Sequence, residues 1–178
     1  MSYELFHVRN ADKIIKEKIM EADVSSMLGY VDDFLCCSLH RGELLRLALT
    51  EAGWRSDLEN LRIIDGRKYR FKGFSNGIAV EANLNVYEYI LEGLFRLQVG
   101  FDKGLIESGI LLITGHRSEK SSLGSTFDLA KAEVELLYPT ISLPVTIVVF
   151  DLENSLLTEE LKNAGQFDDD NGEGIPED

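Results

Sequence analysis

Residues 69 to 84 read YRFKGFSNGIAVEANL, and the fold is decided in this stretch. Tyr69, Phe71 and Gly73 alternate with Arg70, Lys72 and Phe74. Ser75-Asn76-Gly77 is a strong turn signal, and Ile78-Ala79-Val80 resumes an apolar strand. The pattern is that of a β-hairpin whose second strand continues through Glu81, Ala82 and Asn83. A period of two places Glu81 and Asn83 on one strand face. A carboxylate and an amide oxygen side by side form a candidate site for a hard cation such as Mg2+, which prefers oxygen ligands. The same spacing also suits two polar residues on a solvated strand face.

Upstream of the hairpin the chain reads as helical. Asn10 stands where it can cap a segment with Ile15, Ile19 and Ala22 on one face. A second amphipathic stretch runs through Val24, Met27, Leu28, Val31, Phe34 and Leu35. A third, Glu43 to Ala52, carries Leu44, Leu45, Leu47 and Ala48 and stops at Gly53, with Trp54 beginning the exit. A short strand is expected near Leu61 to Ile64. Downstream, Val86, Ile90, Leu94, Leu97 and Phe101 recur at helical spacing up to Lys103-Gly104. Ile110 to Ile113 and Val145 to Phe150 are apolar runs of the kind found in strands covered on both faces. Between them Phe127, Ala130, Val134 and Leu137 mark a helix that Pro139 ends. This order predicts an α/β fold with a mixed sheet, helices on both faces, and parallel strands joined by right-handed crossovers.

The 178 residues carry 31 acids against 18 bases, a net charge of −13 that argues against a generally basic nucleic-acid coat or a membrane-surface protein. The charge is unevenly spread. Gln166 to Asp178 holds six acids and no base, so the rest of the chain has 25 acids against 18 bases. Residues 1–165 read as one domain and 166–178 as an acidic disordered tail. Against this background Arg62, Arg67, Lys68, Arg70 and Lys72 place five bases in eleven residues. Alternation directs Lys68, Arg70 and Lys72 to one face, where they suit a phosphate backbone. An edge hairpin that uses charge to avoid aggregation would look the same.

Cys36 and Cys37 are the only cysteines, and their adjacency points to a reducing compartment. The N-terminus lacks an apolar stretch of signal-peptide length, and no uncharged run approaches the ~18 residues of a membrane span. A cytoplasmic location without membrane contact is the expectation. His7, His40 and His116 are scattered, which disfavours structural zinc. Phosphate-binding glycine loops and the Gly-x-Ser-x-Gly elbow are missing. His116, in a polar loop that follows a buried strand, is a weaker candidate for a general acid. Tyr87, Tyr89, Phe95 and Phe101 fall on an amphipathic helix and suit the core or a dimer face.

Taken in order, RNADKIIKE, LLRLALTEAGW, GIAVEANLN, FDKGLIESGILLITGH and FDLAKAEVELLYPTISLPVTIVVFDL resemble successive segments of the BglII, BstYI and BamHI type restriction endonucleases, within the PD-(D/E)XK nuclease superfamily. The resemblance spans most of the chain. It implies a three-layer α/β/α core and a Mg2+-dependent endodeoxyribonuclease that acts as a homodimer on a short palindrome of double-stranded DNA. Within it Glu81 is the metal ligand and Asn83 stands in the place of the third catalytic residue. Arg67, Lys68, Arg70 and Lys72 are then the DNA-binding candidates.

The chain also departs from that pattern. The family needs an Asp on the preceding strand, roughly nine residues before the Glu, so that two carboxylates clamp one metal and activate water. Lys72 stands there instead, among further bases. Asp65, six residues beyond the hairpin pairing, is placed about 20 Å from Glu81 at ~3.3 Å per strand residue. A turn at Asn76 would set Lys72 opposite Val80 and Phe71 opposite Glu81. Glu43 and Glu51 are other possible carboxylates. The expectation is a DNA-binding protein with weakened or lost phosphodiester cleavage. The alternative is an inactive acidic protein-interaction module on a nuclease fold.

Overall fold

A computed structural model describes residues 3–35, 41–117 and 125–151. Cys36, Cys37, His40 and the acidic stretch 166–178 lie outside the described residues. Five strands form one mixed sheet in the order β1-β5-β4-β3-β2, namely β1 (Tyr3–Val8), β2 (Gly73–Ser75), β3 (Ile78–Asn83), β4 (Ser108–Thr114) and β5 (Val145–Phe150). β3, β4 and β5 run parallel, while β1 and β2 close the two edges antiparallel. The helices are α1 (Ala11–Glu17), α2 (Glu21–Leu35), α3 (Arg41–Glu51), α4 (Ile90–Asp102) and α5 (Thr126–Leu136).

Every residue of β4 and β5 is buried, as the two apolar runs predict. Successive residues serve opposite layers. Leu111 and Ile113 pack with Leu94 and Leu97 of α4 and with Ala130 and Val134 of α5. Ile110 and Leu112 pack with Leu28 and Val31 of α2, with Leu45 and Leu49 of α3 and with Trp54. The architecture is therefore α/β/α, with two cores divided by one sheet. Each fully buried Leu, Ile or Val contributes about 1.5–3 kcal/mol, so these strands hold much of the stability.

The hairpin turns as the sequence predicts, but its register differs by one residue. Asn76 and Gly77 have φ of 46° and 79°, the left-handed pair a two-residue turn requires. Ser75 pairs with Ile78 and Gly73 with Val80, so the paired register is one residue from the expected one. β2 ends at Gly73, and the Lys72 N–H before it also donates to the Val80 carbonyl, at 2.8 Å. The expected strand near Leu61 to Ile64 reduces to a single antiparallel bridge between Arg62 and Arg70. The chain folds back between these residues, since the Arg67 N–H donates to the Ile64 carbonyl.

The N-terminal expectation needs correction. Tyr3–Val8 is an edge strand, its alternation legible in the buried Phe6 and Val8. Asn10 precedes α1 in a left-handed conformation and makes no side-chain cap. The expected continuous helical face breaks at Ile19, which has φ of 58° and is 86% exposed; only Ile15 of that face is buried. Leu47 of α3 also faces outward. By contrast, α4 and α5 match their predicted spans closely, and Ser125 caps α5 by accepting from the Asp128 N–H. Two glycines let α4 approach its neighbours. A Cβ at Gly93 would lie 2.4 Å from Leu111, and one at Gly100 would lie 2.4 Å from the Phe71 ring.

Candidate nucleic-acid interface

The close approach of α4 to the sheet and the fold-back before β2 leave a cleft of about 610 Å³ over the C-terminal half of β3. Glu81, Ala82, Asn83 and Leu84 form its floor, and Lys68 to Lys72 form one wall. The others come from α3 and the segment after it (Arg41, Arg46, Arg55) and from α4 (Glu92, Gly93, Arg96). Seven of the lining residues are Lys or Arg and two are Glu, in a chain whose net charge is −13. The acidic whole thus encloses a cationic hollow.

Glu81 is 1% exposed. Its Oε2 lies 3.6 Å from Arg96 Nη1, and its Oε1 has no hydrogen-bond partner. Burial pushes its carboxyl up to about 7, against the opposing pull of Arg96 and Lys72. Arg96 is held in turn by Glu92, one turn earlier on α4. Asn83 Oδ1 accepts from the Asn85 N–H at 3.4 Å.

The bases crowd one another. Burial first, and then the Arg46 and Arg70 guanidiniums, push the Arg55 pKa down. Arg55 donates to the Lys72 carbonyl, and Arg41 donates to the Leu84 carbonyl at 2.9 Å, tying the rim to the floor. Among the described residues none of Arg46, Lys68, Arg70 and Lys72 is in an ion pair. Like charges held this close favour an anionic ligand.

Of the residues singled out in the sequence, Glu81, Asn83, Lys68, Arg70 and Lys72 come together in the cleft. Arg67 does not line it, nor do Asp65, Glu43, Glu51 or His116. Asp65 sits exposed where the chain folds back. The sequence reading missed Arg41, Arg46, Arg55, Glu92 and Arg96. The Glu92/Arg96 spacing of four within the helical pattern from Val86 to Phe101 was the one available signal.

Sheet order, layers and site position together define a restriction-endonuclease-like fold. Among solved structures, the chain is similar to the restriction endonuclease BglII complexed with a DNA 16-mer, with a TM-score of 0.58 and 14% identity over 84% of this chain and 78% of that one. It is also similar to free BglII, with a TM-score of 0.50 and 16% identity over 84% and 79%. At this identity the likeness concerns the fold. No family model and no curated protein matches the chain.

The residues of the cleft do not fit the Mg2+ that the sequence resemblance implies. Among the described residues no three Asp, Glu, His or Cys side chains cluster as a metal site. The cleft's second carboxylate, Glu92, is engaged by Arg96, and the Asn83 oxygen is turned to its own backbone. The free Glu81 oxygen is a single donor with Arg96 and Lys72 acting on the same carboxyl. A divalent cation there would face seven Lys and Arg side chains against two carboxylates.

Proposed function

We propose that this protein binds double-stranded DNA through the cleft over β3 and has lost metal-dependent phosphodiester cleavage. The observation that carries this reading is the concentration of seven bases around two carboxylates on an otherwise acidic molecule. The likeness to a BglII–DNA complex adds support. Phosphate contacts of this kind give affinity and positioning without requiring chemistry at the bound strand.

The reading includes a homodimer. Leu91 and Phe95, four residues apart on α4, are 53% and 65% exposed and lie beside Glu92 and Arg96 of the cleft. A two-fold pairing there would set two clefts side by side along one duplex.

The test is a mobility-shift assay with varied duplexes in Mg2+ or Mn2+, followed by a cleavage readout on the same samples. Retardation without cutting is expected, and Arg70→Glu with Lys72→Glu should abolish it. Cutting that disappears in Glu81→Ala would show instead that catalysis survives. No retardation at low salt, together with specific retention of a protein partner, would favour a protein-interaction module.

A further inference from the structure

Lys72, just before β2, lines the cleft together with Glu81, and its N–H donates to the Val80 carbonyl at 2.8 Å, which ties its backbone to β3. Arg96 meets the same carboxylate from α4, at 3.6 Å. Two cations, one from the segment before β2 and one from the helix, therefore stand in the cleft around one buried acid. We propose that Lys72 and Arg96 form a phosphate seat that accepts a DNA phosphodiester without a divalent cation. This deepens the DNA-binding reading above and rests on it.

Each residue has a distinct part. Glu81, 1% exposed and fixed in the middle of β3, orients the guanidinium of Arg96. The Arg96 side chain keeps 32% of its surface exposed, and on that side its partner is Glu92, itself 50% exposed. An exposed ion pair is worth little, so a phosphate displaces Glu92 at small cost. The planar guanidinium offers paired N–H donors that match two phosphate oxygens, and Lys72 adds a mobile ammonium. Glu92 thereby acts as the placeholder for the phosphate rather than as a ligand for a metal.

The experiment is fluorescence anisotropy of a labelled duplex with the full chain, in EDTA and in Ca2+ at matched ionic strength. Equal affinity in the two buffers is expected. Glu92→Gln, an exposed change, should tighten binding about two- to fivefold by removing the competitor. Lys72→Met should weaken it about tenfold and lower the salt slope by about one, while Lys131→Met, exposed on α5 and outside the cleft, changes it far less. Calorimetric titration of the protein alone with Mn2+ should show no heat that Glu81→Gln removes. Affinity that requires Ca2+, weakening by Glu92→Gln, or a Glu81-dependent Mn2+ site would overturn the seat and leave DNA binding standing. No duplex binding in either buffer would overturn the DNA reading and the seat with it.

Discussion

Glu81 and Arg96 face each other at the floor of the cleft, Oε2 to Nη1 3.6 Å, the acid buried and the base partly open to solvent. A carboxylate in this position is costly to ionise. Its proton is held up to about 7 because burial outweighs the attraction of Arg96 and Lys72.

That imbalance makes stability depend on pH. The folded chain holds the Glu81 proton more tightly than the unfolded chain, whose group titrates near 4.5. The stabilising contribution is complete below that value and is lost as pH rises through about 7, a difference of about 3 kcal/mol. Urea denaturation at pH 5 and pH 8 should show this loss in the native chain and little of it in Glu81→Gln.

Crowded bases predict a salt effect of unusual sign. Raising NaCl screens the repulsion among Arg46, Arg55 and Arg70, so thermal stability should rise with moderate salt. Arg46→Gln should raise the melting temperature in low salt and flatten the response. Differential scanning fluorimetry across a salt series measures both.

The wall of the cleft depends on Phe71, buried against Gly100 of α4. Gly100→Val drives its side chain into that ring and should cost about 1–3 kcal/mol. Because Phe71 precedes Lys72, duplex affinity should fall in the fraction that remains folded, read by anisotropy below the unfolding transition.

For the dimer, Leu91→Lys with Phe95→Lys should convert the protein to a monomer in sedimentation equilibrium without lowering its melting temperature, since both side chains are exposed. A wild-type chain that sediments as a monomer at high concentration contradicts the dimer.

Much of the fold was legible because its signals are local. The apolar runs of β4 and β5, the Asn76-Gly77 turn and the helical spacing of α4 need no partner to be read. β1 was missed although Phe6 and Val8 alternate, because six residues beside a helical pattern give a weak period. The break at Ile19 depends on a left-handed backbone that β-branched residues rarely adopt. At the site, Glu81, Asn83 and the hairpin bases were visible because one strand and its turn bring them together. Arg41, Arg46, Arg55 and Arg96 join them only through tertiary packing, as α3 and α4 fold over β3. The hairpin register is also one residue from the expected one, with Gly73 rather than Lys72 paired to Val80, because the turn at Asn76-Gly77 sets the pairing.

The most direct test of the central claim is the salt dependence of duplex binding by the native chain and by Lys68→Glu with Arg70→Glu. The account predicts that the logarithm of affinity falls linearly with the logarithm of salt concentration, and that the slope becomes shallower by about two in the double variant. Affinity and slope that are the same in both proteins would contradict it.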